Sequence, residues 1–415
     1  MQASSFVRGE RLWRHQAEMA RFGATPGGGI DRQAFTAAEI AARQALLGWA
    51  RARGYAASLD GIANLFIRRP GRRDDLAPVL VGSHLDSQPQ GGRFDGTYGV
   101  LAGFEALEAL DDSGITTERP VELVAWSNEE GSRFRPGAMG SQVFVGALAA
   151  EALAGAQGND GVPLAQALAA TRDAFAGVPR RAAAPVHAPV HAYVEAHIEQ
   201  GPVLEQLGAP IGVVTGVAGA RWFDVTLSGR TAHAGTTPLA ARQDALQAAL
   251  RCIAALNDAM ADPADRLRFT VGRLTVAPNV PNSVASLARF SIDLRHPDAA
   301  ELEARAGRIA TACAAAAPPC ALRIEETMTM PPAPFDPGIA ALIEARARAL
   351  GLAVHRLPSG AFHDAAFLGR ICPAGMIFIP CAGGISHNEA ENVTPEDALA
   401  GACVLADVLG ALAGA

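Results

Sequence analysis

Short apolar runs that end in polar, glycine-bearing loops recur along this chain, and they predict buried strands that deliver side chains to one edge of a sheet. Val79–Val81 leads into Gly82-Ser83-His84-Leu85-Asp86-Ser87 and on to Gly91-Gly92-Arg93-Phe94-Asp95-Gly96, which places a strand at about 78–83. Val121–Trp126 runs into Ser127-Asn128-Glu129-Glu130-Gly131-Ser132-Arg133, and Tyr193–Glu199 carries His197 and Glu199 into Gln200-Gly201-Pro202. Helical spacing alternates with these strands. Thr36-Ala37-Ala38-Glu39 is a capping box ahead of apolar Ala42, Ala45, Leu46 and Trp49, and Gly54 stops that helix. Asp60-Gly61 between Tyr55–Leu59 and Asn64–Ile67 predicts a hairpin, and a further helix runs from about Gly99 to Leu110. The pattern is that of an α/β sheet covered on both faces, with functional groups at the carboxyl ends of its strands.

Residues 151–190 are rich in Ala, Pro and Gly and predict a surface helix followed by an irregular connector. Near residue 211 the texture changes. Alternating Phe223, Val225 and Leu227, a helix from about Arg242 to Met260, strands near 268–276 and 284–294, a helix at 299–315 and a strand near 321–326 spell a βαββαβ unit. The α/β pattern then resumes with a helix at 337–350, a strand Met376–Ile379 and a last helix capped by Thr394-Pro395-Glu396. The expected organisation is an α/β domain in two parts, 1–212 and 330–415, with an α+β domain, 213–329, inserted between them.

Composition narrows the partners. A chain of 415 residues, 49% hydrophobic and 19% charged, is long enough for two domains with sizeable cores. A net charge of -7 and a pI near 5.8 offer no basic field for nucleic acid or an anionic membrane, so small molecules or a second copy are the expected partners. The six cysteines, Cys252, Cys313, Cys320, Cys372, Cys381 and Cys403, form no CxxC pair, which argues against a disulfide framework or thiolate zinc site and fits a reducing cytoplasm. Arg8, Glu10 and Arg11 precede any apolar run, unlike a signal peptide, and Asp407 interrupts the apolar C-terminal tail, so no membrane span is expected.

The loops carry the candidate chemistry. His84, Asp95, Glu130, His197 and His387 each follow an apolar run or sit in a glycine-rich turn, and imidazole with carboxylate suits zinc, manganese, cobalt or nickel. Asp86, two residues beyond His84, is placed to accept the second ring N–H of that imidazole. Glu129 and Glu130 are adjacent and cannot point the same way from a strand end, so one can bind metal while the other stays free as a general base. His15, His187, His191, His296 and His355 lie outside these clusters and receive no role.

Taken together, Gly82-Ser83-His84-Leu85-Asp86-Ser87 with Phe94-Asp95-Gly96, Asn128-Glu129-Glu130-Gly131-Ser132-Arg133-Phe134, His197-Ile198-Glu199-Gln200-Gly201-Pro202 and Gly384-Ile385-Ser386-His387-Asn388 resemble the amidase branch of the M20 metallopeptidase family. That branch holds N-carbamoyl-L-amino acid hydrolases, metal-dependent β-ureidopropionases and allantoate amidohydrolases. The resemblance implies a mixed-sheet dinuclear metallohydrolase domain with an inserted lid and dimerisation domain, and a homodimer. It implies two divalent ions, one served by His84, Asp95 and His197, the other by Glu130, His387 and the bridging Asp95. Glu129 would then be the base and proton donor, and Gln200 would contact substrate. Thr231-Ala232-His233-Ala234-Gly235 resembles the lid motif whose histidine stabilises the oxyanion, often across a dimer interface. Asn282 and Arg295 match positions that hold a substrate carboxylate, and Gly360 a turn whose backbone meets the substrate; Phe362 stands where relatives often carry glycine.

The expected reaction is hydrolysis of a linear ureido C–N bond in a carboxylated substrate, with release of ammonia and carbon dioxide. An aminoacylase or dipeptidase on the same scaffold is the nearest rival, and a non-catalytic metal- or ligand-binding protein is another. A cysteine-nucleophile carbamoylase needs a Glu-Lys-Cys set, and this chain contains no lysine.

Overall fold

Val79–His84 is buried at every position, as expected for a continuous apolar run flanked by parallel neighbours on both sides. The computed structural model describes residues 2–181 and 189–414, so His187 and residues 182–188 of the expected connector lie outside the described residues. The chain divides into two compact units, Met1–Gly216 with Pro334–Ala415, and Val217–Ala333.

In chain order the first unit contributes β1 (Ala56–Leu59), β2 (Leu65–Arg69), β3 (Val79–His84), β4 (Val121–Trp126), β5 (Ala192–Ile198) and β6 (Ile211–Val217). The second contains β7 (Gly219–Ser228), β8 (Arg268–Thr270), β9 (Leu274–Ala277), β10 (Leu287–His296) and β11 (Ala321–Met330); β12 (Ala333–Pro334), β13 (Val354–Ser359) and β14 (Ala374–Ile379) follow. The larger sheet is mixed, in the order β1-β2-β4-β3-β5-β14-β6-β12 with β13 on β6. Its centre is parallel: β3 pairs with β4 and β5, and β5 with β14. β6 runs antiparallel to β14, so the main sheet continues past residue 212, to a unit boundary at Gly216.

Helices cover this sheet. α1 (Gly9–Met19) and α2 (Ala37–Ala52) precede α3 (Thr97–Asp112), which starts straight after the glycine loop and is buried from Thr97 to Leu110. Gly99 lets α3 lie close to the sheet, since a Cβ there would sit 2.1 Å from the Ala196 carbonyl oxygen. The capping box forms in part: Thr36 accepts from the Glu39 N–H, while the Glu39 carboxylate receives the Phe35 N–H and pairs with Arg43. The Asp60 turn joins β1 to β2 as expected, with Asp60 accepting from the Ile62 and Asn64 N–H groups.

In the second unit β7 pairs along its length with β10, from Leu287 opposite Ser228 to His296 opposite Gly219, and β11 lies on the other side of β7. α4 (Ala245–Ala259) and α5 (Ala299–Ala316) bury Cys252, Leu256, Ile309 and Cys313 against Val225, Leu227, Phe290 and Ile292. The strand expected near 268–276 is broken into β8 and β9, with Gly272 in the gap. All six cysteines are unpaired, and no helix among the described residues is long and apolar enough to cross a membrane.

Candidate metal centre

The parallel strands of the first unit bring their carboxyl ends side by side, and that is where the polar side chains converge. His84 closes β3. Its Nδ1 donates to the Asp86 backbone carbonyl at 2.9 Å, leaving Nε2 as the free lone pair, 3.6 Å from Asp95 Oδ1 and 3.5 Å from Glu129 Oε2. His197 near the end of β5 repeats the device: Nδ1 bonds the Ile198 carbonyl at 2.9 Å, and Nε2 lies 3.1 Å from Asp95 Oδ1 and within 3.1 Å of the Gly96 N–H. Gly96 has φ 60°, and a Cβ there would meet the His84 ring at 2.3 Å, so only glycine fits between the two ligand candidates.

Asp95 joins two groups. Its Oδ2 is 3.4 Å from His387 Nε2, which lies 3.5 Å from Glu130 Oε2. Among the described residues His84, Asp95 and His197 form one set of donor atoms, and Asp95, Glu130 and His387 another, each within 4.8 Å. Asn128, Gln200 and His387 hold left-handed backbones with φ of 53°, 59° and 53°, the kind of local strain found where side chains are aimed for function.

Electrostatics favour a cation here. Burial, with Asp364, Glu130, Asp86 and Asp95 nearby, holds Glu129 well above the usual carboxylate range. Burial and then Asp95 lift Glu130 to about 8. Burial drops His84 to about 4, whereas His197, despite its burial, is carried up to about 9 by Asp95. Asp95 is raised by burial but held well below its ordinary value by His197 and His387. A pocket with more buried carboxylate than it can neutralise, and with Nε2 lone pairs aimed inward, fits divalent ions bound through nitrogen and oxygen.

Asp86 corrects an expectation. Its backbone carbonyl takes the His84 ring N–H; its carboxylate, 3.7 Å from Nδ1, instead receives the backbone N–H groups of Glu129 and Glu130 at 3.2 Å each. Asp86 therefore ties the loop after β3 to the loop after β4. Gln200 also has a partner beyond the expected one, since its Nε2 donates to Asp95 Oδ2 at 2.8 Å. Gly360 lies in the turn after β13, braced by Ser359 Oγ, which contacts the Ala361 carbonyl and His363 Nε2, both at 2.9 Å.

Within the second unit His233 and Asn282 come together, through the Ala234 N–H to the Asn282 carbonyl at 3.0 Å. His233 Nδ1 accepts from the Gly235 and Thr236 N–H groups at 3.0 and 3.1 Å, which puts the ring proton of the neutral form on Nε2. Arg295 is elsewhere. It sits near the far end of β10, paired with Asp293 at 2.9 Å, and Leu287 to Arg295 alone spans about 26 Å of strand.

Residues 80–411 match peptidase family M20/M25/M40. The chain belongs to that family. This M20 chain is 37% identical over 405 residues to the N-carbamoyl-L-amino-acid amidohydrolase of Rhizobium meliloti, covering 96% of this chain and 95% of that protein. It is 34% identical to the allantoate amidohydrolase of Bacillus subtilis, covering 95% of each. A crystal structure of a hydantoinase/carbamoylase family amidase from Burkholderia multivorans superposes with a TM-score of 0.92 at 41% identity, over 98% of both chains.

Several residues around this candidate centre escape a reading of the sequence. Glu391 is buried, accepts the Phe94 and Asp95 N–H groups at 2.9 and 3.0 Å, and takes the Ser386 hydroxyl at 2.9 Å. It fixes the backbone that carries Asp95. Glu195 lies under His197 and accepts from Ser83 and the Ala365 N–H at 2.7 and 2.9 Å. His363 packs edge-on to the His197 ring at 4.6 Å. The alternation of β5 marks Glu195 only as lying two residues before His197 on the same face, and nothing distinguishes Glu391 from Glu389.

Proposed function

We propose that this chain hydrolyses the linear ureido C–N bond of a carboxylated substrate of the N-carbamoyl-L-amino acid or allantoate class. The observation that carries the reading is the pair of donor groups sharing Asp95, with a separate buried carboxylate, Glu129, 3.5 Å from His84 Nε2. Two divalent ions held by His84, Asp95, His197, Glu130 and His387 would supply polarisation of the ureido carbonyl and a more acidic water. Glu129 then takes the proton of the attacking water and passes it to the leaving nitrogen. Water adds to the carbonyl carbon, the C–N bond to the amino acid breaks, and the carbamic acid released splits into ammonia and carbon dioxide.

The second unit supplies capture. His233, with its proton on Nε2, is a donor for the developing oxyanion, and Asn282 and Arg295 take the carboxylate. Gln200 and the Gly360 turn complete the substrate contacts. One inserted unit cannot wrap all three of its groups around one small molecule, because Arg295 lies about 26 Å of strand from the end of β10 nearest Asn282. A homodimer in which a second copy supplies either His233 with Asn282 or Arg295 meets this requirement. The six unpaired cysteines support a reducing, cytoplasmic setting.

The test is ammonia release from allantoate, β-ureidopropionate and a panel of N-carbamoyl-L-amino acids with Mn²⁺, Co²⁺, Ni²⁺ or Zn²⁺, beside N-acyl amino acids and dipeptides. Turnover of ureido acids is the expected result. Cleavage of N-acyl amino acids or dipeptides alone would replace this reading with an aminoacylase or dipeptidase.

A further inference from the structure

Two fully buried arginines stand behind the two metal loops. Arg43 reaches the Trp126 carbonyl and Ser127 hydroxyl at 3.0 and 3.3 Å, at the end of β4, and has Glu39 as its carboxylate partner. Arg32 serves the loop after β3 and is bound differently. Its Nε donates to the Leu85 carbonyl at 2.6 Å, Nη1 to the Met19 and Phe22 carbonyls at 2.7 and 3.1 Å, and Nη2 to Thr97 Oγ1 at 2.7 Å. Its backbone N–H meets Ser87 Oγ at 2.9 Å, its carbonyl accepts the Ser87 N–H at 3.0 Å, and Ile30 and Gly91 exchange backbone hydrogen bonds at 2.8 and 2.9 Å.

We propose that Arg32 is a positioning residue that sets the metal affinity of the centre by holding both shoulders of the loop carrying His84 and Asp95. The chain of contacts is short. The Leu85 carbonyl that Arg32 holds belongs to the Leu85–Asp86 peptide, one residue beyond His84, and the Asp86 carbonyl fixes the His84 tautomer. Thr97 follows Gly96, whose N–H contacts His197, and Asp95 precedes it. A guanidinium fork with hydrogen bonds to carbonyl and hydroxyl oxygens on three segments pins these shoulders to each other. Lysine has a single ammonium and cannot reach Met19, Leu85 and Thr97 together, so Arg32→Lys keeps the charge but releases the loop.

The inference rests on the metal-site reading above, and its test separates the two. The full chain, stripped of metal, is titrated with Mn²⁺ and with Zn²⁺ against a chromogenic chelator, and folding is followed by circular dichroism. Arg32→Lys, folded like the wild type, is expected to bind each ion about 10–100-fold more weakly, the usual cost of losing support behind a ligand, with turnover recovered by excess metal. A merely structural role would lower the unfolding temperature without moving the dissociation constant of the folded protein. Unchanged affinity in folded Arg32→Lys overturns the proposal. If that variant does not fold, Thr97→Val, which loses one acceptor, must show weakened binding, and unchanged affinity there overturns it equally. Failure of the wild type to bind metal would sink the metal-site reading itself.

Discussion

In the first unit the candidate groups lie inside the protein, with His84, Asp95 and His197 at 1%, 4% and 1% exposure, whereas His233 and Asn282 of the second unit are exposed, the His233 ring meeting the Gly235 and Thr236 N–H groups and the Asn282 carbonyl the Ala234 N–H. The buried set is oriented before any ligand arrives, in surroundings where charge interactions are strong. An exposed set would gain that strength only if water were excluded around a bound substrate. Under the proposed function, chemistry belongs to the core of one unit and selection to the surface of the other. His387 is the intermediate case, belonging to the buried centre by its contacts yet with a side chain that is 50% exposed.

The sharpest break of this comparison is Asp95→Asn. It keeps the side-chain shape and removes the one carboxylate common to both donor groups, so loss of both ions and of ammonia release is expected by elemental analysis and assay. Full metal content in the variant would show that Asp95 is not the bridge. Glu129→Gln comes next: turnover falls by about 10²–10⁴-fold while metal content stays at the wild-type level. Unaltered turnover would remove Glu129 from the base role. The third effect compares His84→Ala with His387→Ala. Loss of buried His84 lowers the stability of the metal-free protein by about 1–3 kcal/mol. Half-exposed His387 has its pKa raised to about 9 by its pairing with Asp95, so its loss leaves stability within about 0.5 kcal/mol only above that pH, where the pairing is already gone, and removes one ion. Equal stability losses there, read by denaturant unfolding, would dissolve the distinction between the core and the open side of the centre.

Much of the first unit was legible in the sequence because central parallel strands are continuous apolar runs, and Val79–His84, Val121–Trp126 and Ala192–Ile198 announce themselves and their polar ends. The residues that hold the donors in place were not. Arg32 stands in Asp31-Arg32-Gln33, which looks like an ordinary polar loop, and only the fold shows its guanidinium at 0% exposure. Asp86 lies two residues from His84 in sequence, which suggested a side-chain contact, but the backbone carbonyl is nearer to the ring and the carboxylate turns toward Glu129 and Glu130. In the second unit the alternation of β7 and β10 was readable, while the break between β8 and β9 rests on Gly272, a weak signal in an otherwise strand-like run. Spacing reveals which residues share a strand; it does not reveal which end of a long strand faces a ligand.

That last point gives the smallest effect and the finest test. Arg295→Lys should raise KM for a carboxylated ureido substrate by about tenfold with kcat little changed, because an ammonium replaces a two-pronged contact with one. An unchanged KM would place the carboxylate elsewhere. Arg295 already pairs with Asp293, so a substrate carboxylate must share or displace that partner, which keeps the expected change modest. The two ends of β10 can then be separated by mixing. If His233 and Arg295 meet the substrate from different copies, co-refolding inactive His233→Ala with inactive Arg295→Ala chains forms mixed dimers with one intact site, and ammonia release returns. If both groups come from one copy, every site in the mixture lacks one of them, and activity stays absent.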